Sequence, residues 1–144
     1  MAHRYSQTVR FGEVDRAGIV YYPRLLHFSH VAMEDFFDVE VGQSYQHVID
    51  DRRIGFPTVH LEADFSKPMA FGDRIVIEVT FVSVGRSSVV TRYRFLGAEG
   101  DDGDRRARID VTTACVDMDR FRAREIPDDL RACFEKHPTE DAAS

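Results

Sequence analysis

Residues 23–38, with the sequence PRLLHFSHVAMEDFFD, predict the helix around which this chain folds. Pro23 suits the first turn of a helix, where the missing amide N–H costs nothing. On a helical wheel the apolar side chains cover about half of the circumference, which is wider than the stripe of a surface helix. They are Leu25, Leu26, Phe28, Ala32, Met33, Phe36 and Phe37. We therefore expect this helix to be largely buried.

The flanking segments alternate apolar and polar side chains, which is the period of a β-strand. The predicted elements are strands at 4–11, 59–65, 75–81, 87–96 and 106–118, a short helical piece within 39–51, and a terminal helix at 126–137 with a polar tail. Short connections between consecutive strands favour antiparallel pairing. A wide apolar helix and a sheet bury each other, so we predict an α+β fold with an antiparallel sheet of about five strands wrapped around one central helix.

The composition limits the classes of function. A chain of 144 residues fits a single domain, here 1–144 with a core at about 4–118, and its formal charge of -6 disfavours nucleic acid as a partner. No apolar segment approaches the roughly 20 residues of a membrane span. Two cysteines and no signal-like N-terminal stretch predict a cytoplasmic, reduced protein, with Cys115 in the core.

The loop at 12–22, GEVDRAGIVYY, carries the carboxylate of Asp15 directly before the predicted helix. A carboxylate can attack a carbonyl carbon or take a proton from water. The helix start offers unpaired N–H groups that suit a carbonyl oxygen gaining negative charge. An aspartate near glycine is also common in turns, where its side chain bonds its own backbone. The apolar run from Ala17 to Val20 favours a packed loop over a surface turn.

This string and the order of elements resemble the hotdog-fold acyl-CoA thioesterases, specifically the 4-hydroxybenzoyl-CoA thioesterase branch with its Tol-Pal-associated relatives. The resemblance covers roughly residues 5–118, and it is also carried by 56–59, 71–73 and 84–88. It implies a hotdog fold, and Asp15 as the catalytic carboxylate that acts as nucleophile or as general base. The backbone N–H of Tyr22 would polarise the thioester carbonyl.

The resemblance further implies a substrate site with no metal and no cofactor, at the interface of a homodimer that often assembles into a tetramer. The substrate-binding residues would be Gly18, Ile19, Val20, Pro23, His30, Thr58 and Val59, with Arg86, Ser87 and Ser88 near the phosphates of CoA. The implied activity is hydrolysis of an aromatic or short-to-medium acyl-CoA to free acid and CoA. Tyr at the position before Pro23, where many relatives that act on aliphatic acyl groups have His, favours an aromatic or bulky acyl group.

Some alternatives stay open at this point. Arg16 stands where relatives often carry a small residue or proline, and it could act on the neighbouring carboxylate or bind a phosphate or carboxylate of the substrate. His27, His30 and Glu34 could ligate a metal, although lining the acyl pocket suits them better. The same fold could also serve as a non-catalytic acyl-CoA or acyl-carrier binding module. A hydratase or dehydratase would use one of these histidines with Glu34.

Overall fold

The computed structural model describes residues 2–140 and contains three α-helices and eight strands within them. In chain order these are β1 His3–Thr8, α1 Tyr22–Phe36, α2 Tyr45–Asp50, β2 Ile54–Gly55, β3 Thr58–Phe65, β4 Arg74–Val84, β5 Ser88–Leu96, β6 Arg105–Ala114, β7 Val116–Asp117, β8 Arg122–Ala123 and α3 Asp128–Glu135. Part of the predicted polar tail, residues 141–144, lies outside the described residues.

Five strands form one antiparallel sheet in the order β1-β4-β5-β6-β3. The long central strands β4 and β5 pair from Val76↔Leu96 to Val84↔Val89, and β1 and β3 close the two edges. Strands β2, β7 and β8 form a second, smaller sheet with its own ladder of hydrogen bonds. The predicted α+β architecture, with about five antiparallel strands and one long helix, is confirmed.

The core forms between one face of α1 and the inner faces of the central strands. Phe28, Ala32 and Phe36 of the helix are buried together with the alternating apolar residues of β4, as the period of two predicted. These β4 residues are Ile75, Ile77, Val79 and Phe81. At one end of the core, Phe81 stacks on Phe134 of α3 with ring centroids 4.7 Å apart, and Phe36 meets Phe81 edge-on at 5.1 Å. The C-terminal helix is therefore part of the same hydrophobic cluster.

Helix α1 differs from its prediction in burial and in its bounds. Only five of its residues are buried, and His27, His30 and Glu34 are exposed, so the expectation of a largely buried helix was wrong for this side. It begins at Tyr22, which puts Pro23 at the second helical position, and it continues after Phe36 as a π-helical segment at 37–41. Gly42 ends that segment with a φ of 77°, a conformation that glycine adopts without strain.

The first and the last predicted strands also differ from the structure in their bounds. The first strand ends at Thr8, so Phe11 is exposed in a 3-10 turn at 11–13. The last predicted strand breaks after Ala114, because Cys115 turns its N–H to the carbonyl of Ser87 and the chain enters the smaller sheet. Cys115 itself is fully buried, as expected.

Edge strand β3 is exposed along its whole length, including the face that the alternation assigned to the core. Val59 is 63% exposed and Phe65 is 55% exposed. Phe65 shares a face with buried β6 residues, since it pairs with Ala107, whereas Val59 lies in a register shift between Thr58 and His60. Helix α1 packs on β1 and β4, at the other side of the sheet, and leaves the β3 edge open. No helix within residues 2–140 has the length and apolar character that crossing a membrane requires.

Candidate active site

The segment between β1 and α1 is a short hairpin whose turn begins at Asp15. The N–H of Asp15 donates to the carbonyl of Ile19 at 3.0 Å, and the N–H of Tyr21 donates to Glu13 at 3.0 Å. The turn closes where the N–H of Gly18 donates to the Asp15 carbonyl at 3.0 Å, and Gly18 has a φ of 79°. A turn followed by a left-handed residue is a common three-residue hairpin connection, and it favours glycine at the last position.

This hairpin is also held from outside, by the segment that leads into β4. The N–H of Val20 donates to the carbonyl of Met69 at 2.7 Å, and the N–H of Phe71 donates to Gly18 at 3.1 Å. Because both bonds tie the returning arm of the hairpin to another part of the chain, the apolar run at 17–20 belongs to a packed loop, as predicted. The position of the turn is therefore set by the fold and not by the loop alone.

The carboxylate of Asp15 is exposed, and a hydrogen bond to one of its two oxygens holds it in place. Its Oδ1 accepts a hydrogen bond from the N–H of Ala17 at 2.8 Å, which is the side-chain turn bond expected of aspartate in this setting. Among residues 2–140 no donor contacts Oδ2. The turn interaction and an available carboxylate oxygen thus occur in the same residue.

The start of α1 presents one amide donor without a backbone acceptor. Pro23 has no N–H, and the N–H of Arg24 donates to the carbonyl of Tyr21 at 2.8 Å. No hydrogen bond within the described part of the chain uses the N–H of Tyr22. A free N–H at the N-terminus of a helix, where the macrodipole is positive, suits an oxygen that gains negative charge.

Asp15 and Tyr22 border two neighbouring surface depressions. Asp15 and Gly18 line an open cleft of about 870 Å³ together with Tyr21 and Arg24. The predicted residues Ile19, Val20 and Tyr22 line a second depression of about 460 Å³, next to Phe65 at the end of β3. Pro23 is half-buried in the first turn of α1. These six predicted residues therefore meet at one end of the sheet.

His30 and Thr58 lie elsewhere, around a partly enclosed cavity of about 220 Å³ between α1 and the sheet. Its wall is mostly apolar and is rich in aromatic side chains, among them Tyr45, Phe56, Phe81, Tyr93 and Phe134. Val59 follows Thr58 on the exposed edge strand. Leu61 also lines the cavity and is partly exposed, so the cavity reaches the open edge at β3.

The tyrosine hydroxyls of this cavity stay protonated. Burial is the main cause that raises the pKa of Tyr93 and the pKa of Tyr45 above the ordinary value for tyrosine. Both side chains can therefore donate a hydrogen bond to an acceptor inside the cavity at any physiological pH.

The predicted phosphate residues Arg86, Ser87 and Ser88 form the turn between β4 and β5. The N–H of Gly85 donates to the carbonyl of Ser88 at 2.8 Å, and Arg131 of α3 donates to the carbonyl of Gly85 at 2.8 Å. The Asp15 hairpin lies at the other end of β4, and the eleven residues of this strand span roughly 34 Å. Within one chain these residues do not join Asp15.

The histidines of α1 do not form a metal site. His30 contacts Glu34 at 3.2 Å, with both side chains about half exposed. No group of three or more metal-ligating side chains is found between residues 2 and 140.

The sequence did not predict several residues that line the Asp15 cleft. They are Phe11, Tyr21, Arg24 and Phe71. The rings of Phe11 and Phe71 meet edge-on with centroids 5.7 Å apart. Each of these phenylalanines precedes a glycine in a connection next to a strand, and this repeated Phe-Gly pair was the available signal.

Comparison with known proteins identifies the family. Residues 9–134 match the family model described as the Thioesterase-like superfamily. A 1,4-dihydroxy-2-naphthoyl-CoA hydrolase from Nostoc punctiforme is 28% identical over 130 residues, covering 90% of this chain and 84% of the relative.

Two solved structures are similar along nearly the whole chain. A 1,4-dihydroxy-2-naphthoyl-CoA thioesterase from Synechocystis superposes with a TM-score of 0.83 at 24% identity, covering 96% of this chain and all of that one. A gentisyl-coenzyme A thioesterase superposes with a TM-score of 0.78 at 27% identity, covering 92% of this chain and 99% of that one. These matches confirm the hotdog fold, and the chain belongs to the Thioesterase-like superfamily, whose named relatives here are CoA thioester hydrolases.

Proposed function

We propose that this protein hydrolyses the thioester of an acyl-CoA to a free acid and CoA. The observation that carries the proposal is the pairing of an available Asp15 carboxylate oxygen with the unbonded N–H of Tyr22, both held by one short hairpin. The family supports the same chemistry, since its relatives are named as CoA thioester hydrolases. Asp15 supplies the reacting carboxylate, and the Tyr22 N–H stabilises the carbonyl oxygen as it becomes an oxyanion.

Two routes lead from this geometry to the same products. In the first, Oδ2 of Asp15 attacks the thioester carbon, the CoA thiolate leaves and takes a proton, and water then hydrolyses the mixed anhydride. In the second, Asp15 accepts a proton from water while the oxygen of that water attacks the carbonyl carbon, and the tetrahedral intermediate then expels the CoA thiolate, which takes the proton from Asp15. The turn bond from Ala17 restricts the carboxylate to one orientation in both routes, which lowers the entropic cost of reaction.

We propose an aromatic acyl group as the substrate. The aromatic cavity of about 220 Å³ supports this class, because an apolar cavity of about 150 Å³ holds benzene. The protonated hydroxyls of Tyr45 and Tyr93 suit a ring that carries hydroxyl groups. The relatives named for dihydroxynaphthoyl and gentisyl thioesters point to the same class. We also propose that this chain belongs to the narrower 4-hydroxybenzoyl-CoA thioesterase branch of the family.

We further propose that two chains complete the site as a homodimer, which can pair again into a tetramer. Strand β3 has a partner on one side only, and its apolar residues are exposed. Antiparallel pairing of two β3 strands about a two-fold axis places the Thr58 end of one strand against the Phe65 end of the other. Phe65 borders the same depression as Tyr22, and Thr58 borders the aromatic cavity.

This dimer also brings the distant turn at Arg86 closer to the hairpin of the partner. Arg86, Ser87 and Ser88 lie at the same end of the sheet as Thr58, since Val89 and Thr58 both pair with Thr113. A substrate bound between chains would then meet the hairpin of one chain and these groups of the other. We regard residues 1–144 as one such domain, and the free thiols of Cys115 and Cys133 favour a reducing, cytoplasmic setting.

The test is release of free thiol from a panel of benzoyl, hydroxybenzoyl, naphthoyl and straight-chain acyl-CoA thioesters. We expect turnover of aromatic thioesters, and a fall in kcat of at least 100-fold in Asp15→Asn, an amide that can keep the turn bond. Rapid-quench mass spectrometry distinguishes the routes, because only nucleophilic attack adds the mass of the acyl group to the peptide that contains Asp15.

Three outcomes would contradict the proposal. Retained turnover in a folded Asp15→Asn protein would remove this carboxylate from the chemistry. Saturable binding of acyl-CoA without hydrolysis of any thioester in the panel would favour the binding module instead. Hydration of enoyl-CoA that depends on His30 and Glu34 would favour the hydratase.

A further inference from the structure

The cleft that contains Asp15 also contains two guanidinium groups, those of Arg16 and Arg24. Neither takes part in an ion pair or a side-chain hydrogen bond among residues 2–140, so Arg16 is not paired with its neighbour Asp15. Elsewhere, arginines of this chain bind carboxylates closely, as Arg52 does with Asp129 at 2.8 Å. The two cleft arginines thus keep all their donors available in an acidic protein.

The backbone positions of both arginines are fixed. Arg16 is the second residue of the turn that the bonds from Ala17 and Gly18 to Asp15 close. Arg24 stands in the first turn of α1, with its N–H bonded to the carbonyl of Tyr21. Both side chains therefore extend into the cleft from rigid elements, which reduces the entropy lost when they bind a ligand.

The charge of the cleft favours an anion. Arg16 and Arg24 contribute two positive charges and Asp15 one negative charge, so the cleft is positive by one formal charge in a chain of net charge -6. A guanidinium presents its N–H donors in a planar fork that matches the oxygens of a carboxylate or a phosphate. The attraction of the two guanidinium groups would offset the repulsion that Asp15 exerts on a bound anion.

One wall of the cleft is aromatic and open to solvent. Phe11 is 77% exposed and Phe71 is 58% exposed, although their rings touch each other. Two adjacent phenylalanines with so much exposed surface are typical of a binding surface for a flat apolar group. The cleft therefore combines a surface for a ring with donors for an anion.

We propose that Arg16 and Arg24 bind an anionic oxygen group of the substrate, in the cleft whose other wall carries Phe11 and Phe71. This inference rests on the proposed thioesterase function and specifies its substrate. The anion can come from the acyl group, as a second carboxylate, or from the phosphates of CoA. The long pantetheine arm separates the phosphates from the thioester, so the closeness of both arginines to Asp15 favours the acyl group.

The decisive experiment compares four thioesters: benzoyl and 4-carboxybenzoyl groups, each on CoA and on pantetheine, which lacks the phosphates of the nucleotide. Arg16→Gln, Arg24→Gln and the double variant are measured beside wild type, and Arg122→Gln is the matched control because Arg122 is exposed in β8, away from the cleft. We expect kcat/KM to fall about tenfold for each arginine removed, on the substrates that carry the recognised anion.

The pattern of losses identifies the source of the anion. A loss on 4-carboxybenzoyl thioesters with either carrier, with benzoyl thioesters unaffected, assigns the arginines to the acyl group. A loss on both CoA thioesters that disappears with pantetheine assigns them to the phosphates. An equal effect on all four thioesters, or no effect beyond that of Arg122→Gln, would overturn the proposal.

A binding measurement keeps this test independent of hydrolysis. Isothermal titration of terephthalate and of CoA into wild type and into the double variant reports anion binding even if no thioester is turned over. We expect at least one of the two to bind wild type about tenfold or more tightly than the double variant, with weaker binding at high salt. Unchanged binding in a double variant whose thermal unfolding matches wild type would refute the anion site without bearing on Asp15.

Discussion

Replacing Tyr22 by proline should remove the proposed oxyanion donor with little damage to the fold. Proline deletes the amide N–H, and no hydrogen bond of the described structure uses that N–H. Tyr22 is the first residue of α1, where helices accept proline most readily. Tyr21 has φ of -71° and ψ of 126°, the extended conformation that a residue before proline prefers.

The size of the effect follows from the number of donors lost. Removal of one oxyanion donor costs about 2.7–4 kcal/mol of transition-state stabilisation, so kcat should fall by about 100-fold to 1,000-fold. The free energy of unfolding should change by less than about 1 kcal/mol, because no native hydrogen bond is lost and the backbone is already compatible. For a chain of this length that change moves Tm by only a few degrees.

Tyr22→Ala is the matched control, since it removes the ring and keeps the N–H. The ring is 61% exposed and contacts Tyr21 edge-on, so its loss should leave most of kcat intact. Thiol release from benzoyl-CoA and thermal unfolding are measured for both variants. A folded Tyr22→Pro protein that keeps most of its kcat would refute the role of this N–H, and an equal loss in Tyr22→Ala would assign the effect to the ring.

Two further predictions address stability and the shared site. The hydrogen bond from Arg52 lowers the pKa of Asp129 to about 2 from its usual 3.8, so its stabilising effect should be present above pH 4 and disappear as the pH falls towards 2. Because Asp129 is 49% exposed, Asp129→Asn should lower the free energy of unfolding in urea by under about 1 kcal/mol at pH 7, and by clearly less at pH 2, where about half of the Asp129 carboxyls are protonated; an equal cost at both pH values would contradict this cause. Mixing inactive Asp15→Asn chains with inactive Thr58→Trp chains should restore about one quarter of wild-type turnover, since half of the dimers are hybrids with one intact site. No restoration, in mixtures shown by mass spectrometry to contain hybrids, would place Asp15 and Thr58 in independent sites.

The period of the apolar residues predicted the elements well and their burial less well. It identified β3 to β5, the antiparallel pairing of β4 with β5 and the inner face of β4, because these features depend on local alternation and short connections. The expected pairing of consecutive strands was wrong for β3, which pairs with β6 instead of β4. It overestimated the burial of Val59 and Phe65, since alternation assigns a face to a residue but cannot show how far the helix reaches across the sheet. The same limit applies to the exposed side of α1.

The candidate site was predictable where its residues are close in sequence. The string at 12–23 predicts Asp15 and Tyr22 as one site, and the structure places them at the borders of two neighbouring depressions. Their joint role in catalysis stays a prediction. The cleft residues Phe71 and Arg24 were missed. Phe71 reaches the hairpin only through two backbone hydrogen bonds, from Val20 to Met69 and from Phe71 to Gly18. Contacts between residues about 50 positions apart leave no periodic signal in a single sequence.

The turn and the reactive carboxylate, treated as alternatives in the sequence, require the same geometry. A carboxylate has two oxygens, and the Ala17 N–H uses Oδ1 while Oδ2 remains available. A freely rotating carboxylate would lose rotamer entropy each time it approached a carbonyl carbon. With the turn bond, this entropy is lost once, when the protein folds. Glycine at position 18 makes the turn possible, because its φ of 79° is strained for other residues. The spacing Asp15 to Gly18 therefore determines the shape of the loop and orients the carboxylate proposed to react.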